Sequence, residues 1–161
     1  MNANRQQLIF IHLSLLLALL LTLIPWPPTV QLFMPHWTAL IIAYWSLHDD
    51  GRRVLLYAFA YGLILDVLMG SLLGKHGMSL VALCFLVTKS AKQLRMTSFW
   101  QLLMMVVVLL FNDLIIRLFI DWVSYGYLPE WQDFLPLLTV ILIWPWLNYI
   151  LDRIYAALRH R

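Results

Sequence analysis

Long apolar runs fill nearly the whole chain, and Lys and Arg fall almost only in every second gap between them. Arg5 precedes the first run, and Arg52 and Arg53 follow the second. Lys89, Lys92 and Arg95 follow the fourth, and Arg153, Arg159 and Arg161 follow the sixth. The gaps 25–36 and 126–136 hold no Lys or Arg, and the gap 70–77 holds only Lys75. Nine of the eleven cations thus share one side of a six-span weave. The positive-inside rule assigns that side to the cytoplasm, with both termini inside.

Of 161 residues, 63% are hydrophobic and 12% charged, where a soluble domain carries about a quarter charged. Six spans of roughly 20 residues consume about 120 residues and leave only short loops. A single all-α integral membrane domain over residues 1–161 is the expectation. The net charge of +3 is accounted for by topology and by anionic cytoplasmic lipid, with no need for nucleic acid. Cys84 is the single cysteine, so no disulfide forms within the chain. The first run is followed by Pro25-Trp26-Pro27-Pro28 rather than by a small-x-small cleavage site, which reads as a retained helix.

The predicted helices cover 8–24, 34–48, 54–69, 78–94, 99–125 and 134–157. The second is roughly 22 Å long, short of a hydrocarbon core, with Trp37 and Trp45 near its ends as interfacial anchors. The fifth is the longest and should tilt or project. Asp133 is the expected N-cap of the sixth, and Pro145 should kink that helix.

Four ionisable residues lie well inside apolar runs: Asp66 in the third helix, and Asp113, Arg117 and Asp121 in the fifth. A charge at mid-bilayer costs about 2.5–3.5 kcal/mol on insertion scales, so these groups should face protein or water. Asp113, Arg117 and Asp121 are four apart and share one helix face. Asp66 and Asp113 fall at matching depths, so Asp66, Asp113 and Arg117 are expected to cluster between the third and fifth helices. Two readings stay open for the cluster, a proton or ion path and a structural clamp. Ala58, Gly62, Asp66, Gly70 and Gly74 are also four apart, a small-residue ridge for close helix packing, either within the bundle or on a partner.

The five histidines show no i, i+4 pair and none neighbours Cys84, so no metal or other cofactor is expected. Lys75 and His76 between glycines read as a flexible outer turn. No Ser–His–Asp set, phosphate loop or H-E-x-x-H occurs, and no catalytic activity is expected.

Taken in order, several of these marks resemble the MreD family of the bacterial rod-shape system. They are Pro25-Trp26-Pro27, then Pro35-x-Trp37 leading to Tyr44-Trp45, then Gly62-x-x-x-Asp66-x-x-x-Gly70-x-x-x-Gly74, then Asp113, then Trp144-Pro145-Trp146. The resemblance spans nearly the whole chain, and Arg117 is not among the marks that carry it. It implies a fold similar to the substrate-binding subunits of energy-coupling-factor transporters, in the bacterial inner membrane. It implies a non-catalytic scaffold that binds MreC, a protein with a single membrane helix and a periplasmic coiled coil. The glycosyltransferase RodA with its transpeptidase, and the filament protein MreB, are implied at the level of the complex. The fold analogy also suggests an alternative, a small-solute-binding subunit of a transporter. Against it, only Pro145 breaks a helix and Ala18 stands without the Ala-x-x-x-Ala partner such subunits often use for docking.

Overall fold

The computed structural model describes residues 3–49, 51–94 and 96–159. Arg95, His160 and Arg161, and the side chain of Arg159, lie outside the described residues. The described chain is all α. Its helices are α1 (Ala3–Leu23), α2 (Pro28–Gln31), α3 (Trp37–His48), α4 (Gly51–Met69), α5 (Lys75–Leu94), α6 (Phe99–Tyr125) and α7 (Leu135–Arg159). A 3-10 turn, Trp131–Phe134, leads into α7.

Among the described residues, three segments are long and apolar enough to cross a membrane by length and composition: Arg5–Leu23, Phe99–Tyr125 and Trp131–Ala157. The other helices are shorter or more polar for a physical reason. α3 has 12 residues, and every residue from Thr38 to Leu47 is buried. It is wrapped by protein on all sides, so its length is set by its neighbours rather than by lipid. Ile11, Leu15 and Ala18 of α1, Leu80, Leu83 and Cys84 of α5, and Val106, Leu110, Val140 and Trp144 complete the core around it. α4 and α5 form the most extensive helix contact, and α6 packs on α5 and α7.

Several boundaries differ from those expected. The second predicted helix begins at Trp37, not at residue 34, because Pro35 precedes a non-helical His36, and α2 forms a separate turn opened by Pro28. The fourth begins at Lys75, so Lys75 and His76 belong to a helix rather than to a flexible turn. Asp133 does not cap α7; it lies in the 3-10 turn, where it accepts hydrogen bonds from the Glu130 N–H and the Tyr127 hydroxyl, both 2.9 Å. That acceptance raises the Tyr127 hydroxyl above the usual phenol range. Trp45 is no interfacial anchor: it is fully buried, and its indole N–H donates to Ser14 Oγ at 2.9 Å.

Candidate functional site

Asp66 is fully buried near the end of α4, and the next helix accounts for its tolerance there. The first backbone N–H groups of a helix have no partner inside it and carry partial positive charge. Asp66 reaches those of α5: Oδ2 accepts from Gly74 N at 2.8 Å and Gly77 N at 3.4 Å, and Oδ1 from His76 N at 2.9 Å. Ser71 Oγ donates to Oδ1 at 2.9 Å, and His76 Nδ1 lies 2.8 Å from the same oxygen. Gly70 and Gly74 hold φ of +62° and +97°, the left-handed conformation that glycine adopts without penalty. These two turns swing α5 back beneath the carboxylate.

The Ala58–Gly62 part of the glycine ridge is used inside the chain. Ala58 and Gly62 are buried, and a Cβ on Gly62 would lie 2.5 Å from Gly77 Cα. Gly62 therefore lies in the seam between α4 and α5 and is not open to a partner helix, whereas an added Cβ on Gly70 or Gly74 would meet nothing within 4 Å.

A second polar group is built on α6. Asp113 is 1% exposed. Its Oδ2 lies 3.1 Å from His36 Nδ1 and accepts from Arg117 Nε at 3.2 Å and Nη2 at 3.1 Å. Asp121 does not pair with Arg117; it takes Lys75 Nζ at 2.6 Å. The expected direct cluster of Asp66 with Asp113 and Arg117 is not formed, since α4 and α6 each pack on α5 rather than on each other. Two histidines stand between the carboxylates instead. His76 on Asp66 meets His36 on Asp113 edge to face, with ring centroids 5.5 Å apart. The order is Asp66, His76, His36, Asp113, Arg117.

His36, His76, Asp113, Arg117, Lys75 and Asp121 all line a cleft of about 790 Å³. Its walls come from the ends of α1 and α6, the start of α7, and the α2–α3 connection. Of the proline–tryptophan marks, Trp26, Pro35 and Trp37 line it as well. Pro25 and Pro27 are exposed beside it. Trp144 is fully buried in the core, and Trp146, across Pro145, is 72% exposed. Among the described residues, no group of three or more His, Cys, Asp and Glu converges to hold a metal ion.

Sequence spacing found Asp113 with Arg117 but missed His36 and His76. Their partners lie 77 and 10 residues away, beyond any helical period. One signal was available, the Asp66–Ser71–His76 series, all of which meet at the start of α5. A second unread group ties the opposite ends of α3 and α7. There Asp152 accepts from Tyr44 Oη at 2.8 Å and Asn148 Nδ2 at 3.1 Å, with His48 Nε2 at 3.4 Å.

The sequence model of the family described as rod shape-determining protein MreD matches residues 3–154. The rod shape-determining protein MreD of Haemophilus influenzae is 32% identical over 141 residues, which are 86% of this chain and 85% of that protein. No solved structure matches the chain.

Proposed function

The chain belongs to the MreD family of rod shape-determining proteins, and from that premise we propose that it is a non-catalytic scaffold of the rod-shape complex in the bacterial inner membrane. Its role lies in determining rod shape, as the family description states. In our reading six helices cross the bilayer with both termini in the cytoplasm, α3, α4 and α5 crossing as a mutually shielded set. The membrane helix of MreC docks on the chain directly. RodA with its transpeptidase, and MreB, join at the level of the complex, and anionic lipid meets the cytoplasmic cations. The fold is similar to that of energy-coupling-factor substrate-binding subunits. The observation that carries the scaffold reading is the reach of the family match, which takes in every helix of the bundle.

Packing supports a docking face away from the α4–α5 seam. Since Gly62 is occupied by α5, we place MreC on another surface. α7 is the least buried of the three long apolar segments. Leu138, Leu142, Trp146 and Ile150 form an i, i+4 stripe on it, each at least half exposed. Helices associate in lipid by close packing rather than by hydrophobic burial, so shape on this stripe should decide binding. A Leu142→Ala/Trp146→Ala double variant should lower recovery of co-purified MreC at least fivefold at equal expression. Undiminished recovery would argue against this face.

A further inference from the structure

We propose that the cleft holds a zwitterionic head, a phosphodiester joined to a primary ammonium, between Arg117, Lys75 and Asp121. These three side chains line the cleft and stay open to it, 20%, 16% and 19% exposed, whereas Asp113 behind them is sealed at 1%. Each keeps hydrogen-bonding capacity that the protein leaves unused. Among the described residues, Arg117 gives Nε and Nη2 to Asp113, and no group accepts from its Nη1. Lys75 Nζ gives one of its three protons to Asp121 Oδ2. Asp121 Oδ1 accepts from no described group.

Position orders these groups. Asp121 follows Arg117 by one turn of α6, about 6 Å along the axis. Lys75 reaches the same wall from the start of α5. Spare donors from two helices thus stand beside one spare acceptor. A tetrahedral phosphate presents oxygens in several directions and suits such a pair of donors, the guanidinium as a fork and the ammonium as a point charge. Asp121 Oδ1 then needs a donor. A primary ammonium supplies one, and a trimethylammonium has no N–H to give.

Charge rules against simpler ligands. Arg117 is balanced by Asp113 and Lys75 by Asp121, so the wall has no net charge to draw a lone ion. A lone anion would meet Asp121, and a lone cation would meet Arg117 and Lys75. A molecule of zero net charge that carries both signs meets neither penalty. Asp133, also on the lining, is already engaged by Tyr127 and Glu130. The remaining wall is apolar, with Leu21, Leu118, Leu137 and Val140, and suits hydrocarbon attached to the head. The cleft volume of about 790 Å³ lies in the range of sites that enclose a ligand, apolar in lining with a few fixed polar groups. A membrane aminophospholipid and its water-soluble glycerol head share this chemistry.

The proposal stands apart from MreC docking and is tested without it. The full chain in detergent is titrated with one probe at a time, and native mass spectrometry reads the bound fraction. The probes are phosphatidylethanolamine, phosphatidylcholine and phosphatidylglycerol with the same acyl chains, and glycerophosphoethanolamine. Phosphatidylethanolamine should bind at least fivefold more tightly than the other two lipids. Glycerophosphoethanolamine should bind at least tenfold more weakly than the lipid; equal binding would assign the source to the aqueous phase and leave the zwitterion site standing. Asp121→Asn removes the partner of the ammonium. It should erase the preference for phosphatidylethanolamine over phosphatidylcholine and raise phosphatidylglycerol, a change of selectivity that misfolding would not produce. Arg117→Lys, which keeps the charge beside Asp113 but loses the fork, should weaken phosphatidylethanolamine and phosphatidylcholine alike, at least threefold, with unchanged helix content. Phosphatidylethanolamine binding no tighter than either other lipid, a preference that survives Asp121→Asn, or binding unchanged in Arg117→Lys would overturn the proposal.

Discussion

At Gly62 an added methyl carbon would lie 2.5 Å from Gly77 Cα, 2.7 Å from Gly77 N and 2.9 Å from His76 C. All three are backbone atoms, so no side-chain rotation relieves the clash and α4 must move off α5. The reverse substitution is mild, because a Cβ on Gly77 would meet Leu63 Cδ2 at 3.4 Å. Gly62→Ala should therefore cost ~1–3 kcal/mol, the range for overpacking a tight interior. Gly77→Ala should cost well under half as much. Thermal denaturation of the detergent-solubilised protein, followed by size exclusion, compares the two; equal midpoints would contradict this account of the seam. The small-residue spacing made close approach legible at Gly62, while Gly70 and Gly74 serve left-handed turns with nothing within 4 Å of an added Cβ. The spacing could not say what approaches, because a small residue encodes room and not the identity of its occupant. Asp113 and Arg117 were legible as a pair because four residues is a helical step, whereas His36 and His76 depend on how distant segments meet.

The helices depend on contacts made between them. α5 starts where the Asp66 carboxylate of α4 accepts its first N–H groups, a cap supplied by another helix rather than by the residue before it. That arrangement explains how an aspartate sits fully buried, since its charge faces the positive end of a helix dipole. Asp66→Ala should release the first turn of α5 at ~1–2 kcal/mol, the usual scale of a lost cap. Amide hydrogen exchange over residues 75–79 should then quicken about tenfold, with α6 unaffected; unchanged protection there would remove the capping role. Long apolar helices were legible because composition and length suffice for them, as α6 shows at 27 residues. The limits of α3 and α5 were not, since Pro35 and a carboxylate from a neighbouring helix set them.

For the whole molecule, the alternation of cations between apolar runs orders the chain without reference to packing, and it is the feature on which the six-span reading rests. Among the described residues, three segments pass as spans on their own length and apolarity. Polar groups of the remaining helices are buried against neighbouring elements, including the long ones: Asp66 of α4 on α5, His36 on Asp113 of α6, and Tyr44 of α3 on Asp152 of α7. A bundle that pairs charges internally can cross lipid with helices that no single-helix criterion would select. The most direct measurement of this claim is cysteine accessibility in intact cells. With Cys84 replaced by Ser, single cysteines are placed at exposed Thr29, Tyr127, Arg53 and Lys92. A membrane-impermeant maleimide should label positions 29 and 127 from outside, and positions 53 and 92 only after the inner membrane is opened. Labelling of 53 or 92 in intact cells, or protection of 29 and 127 until the membrane is opened, would contradict the weave.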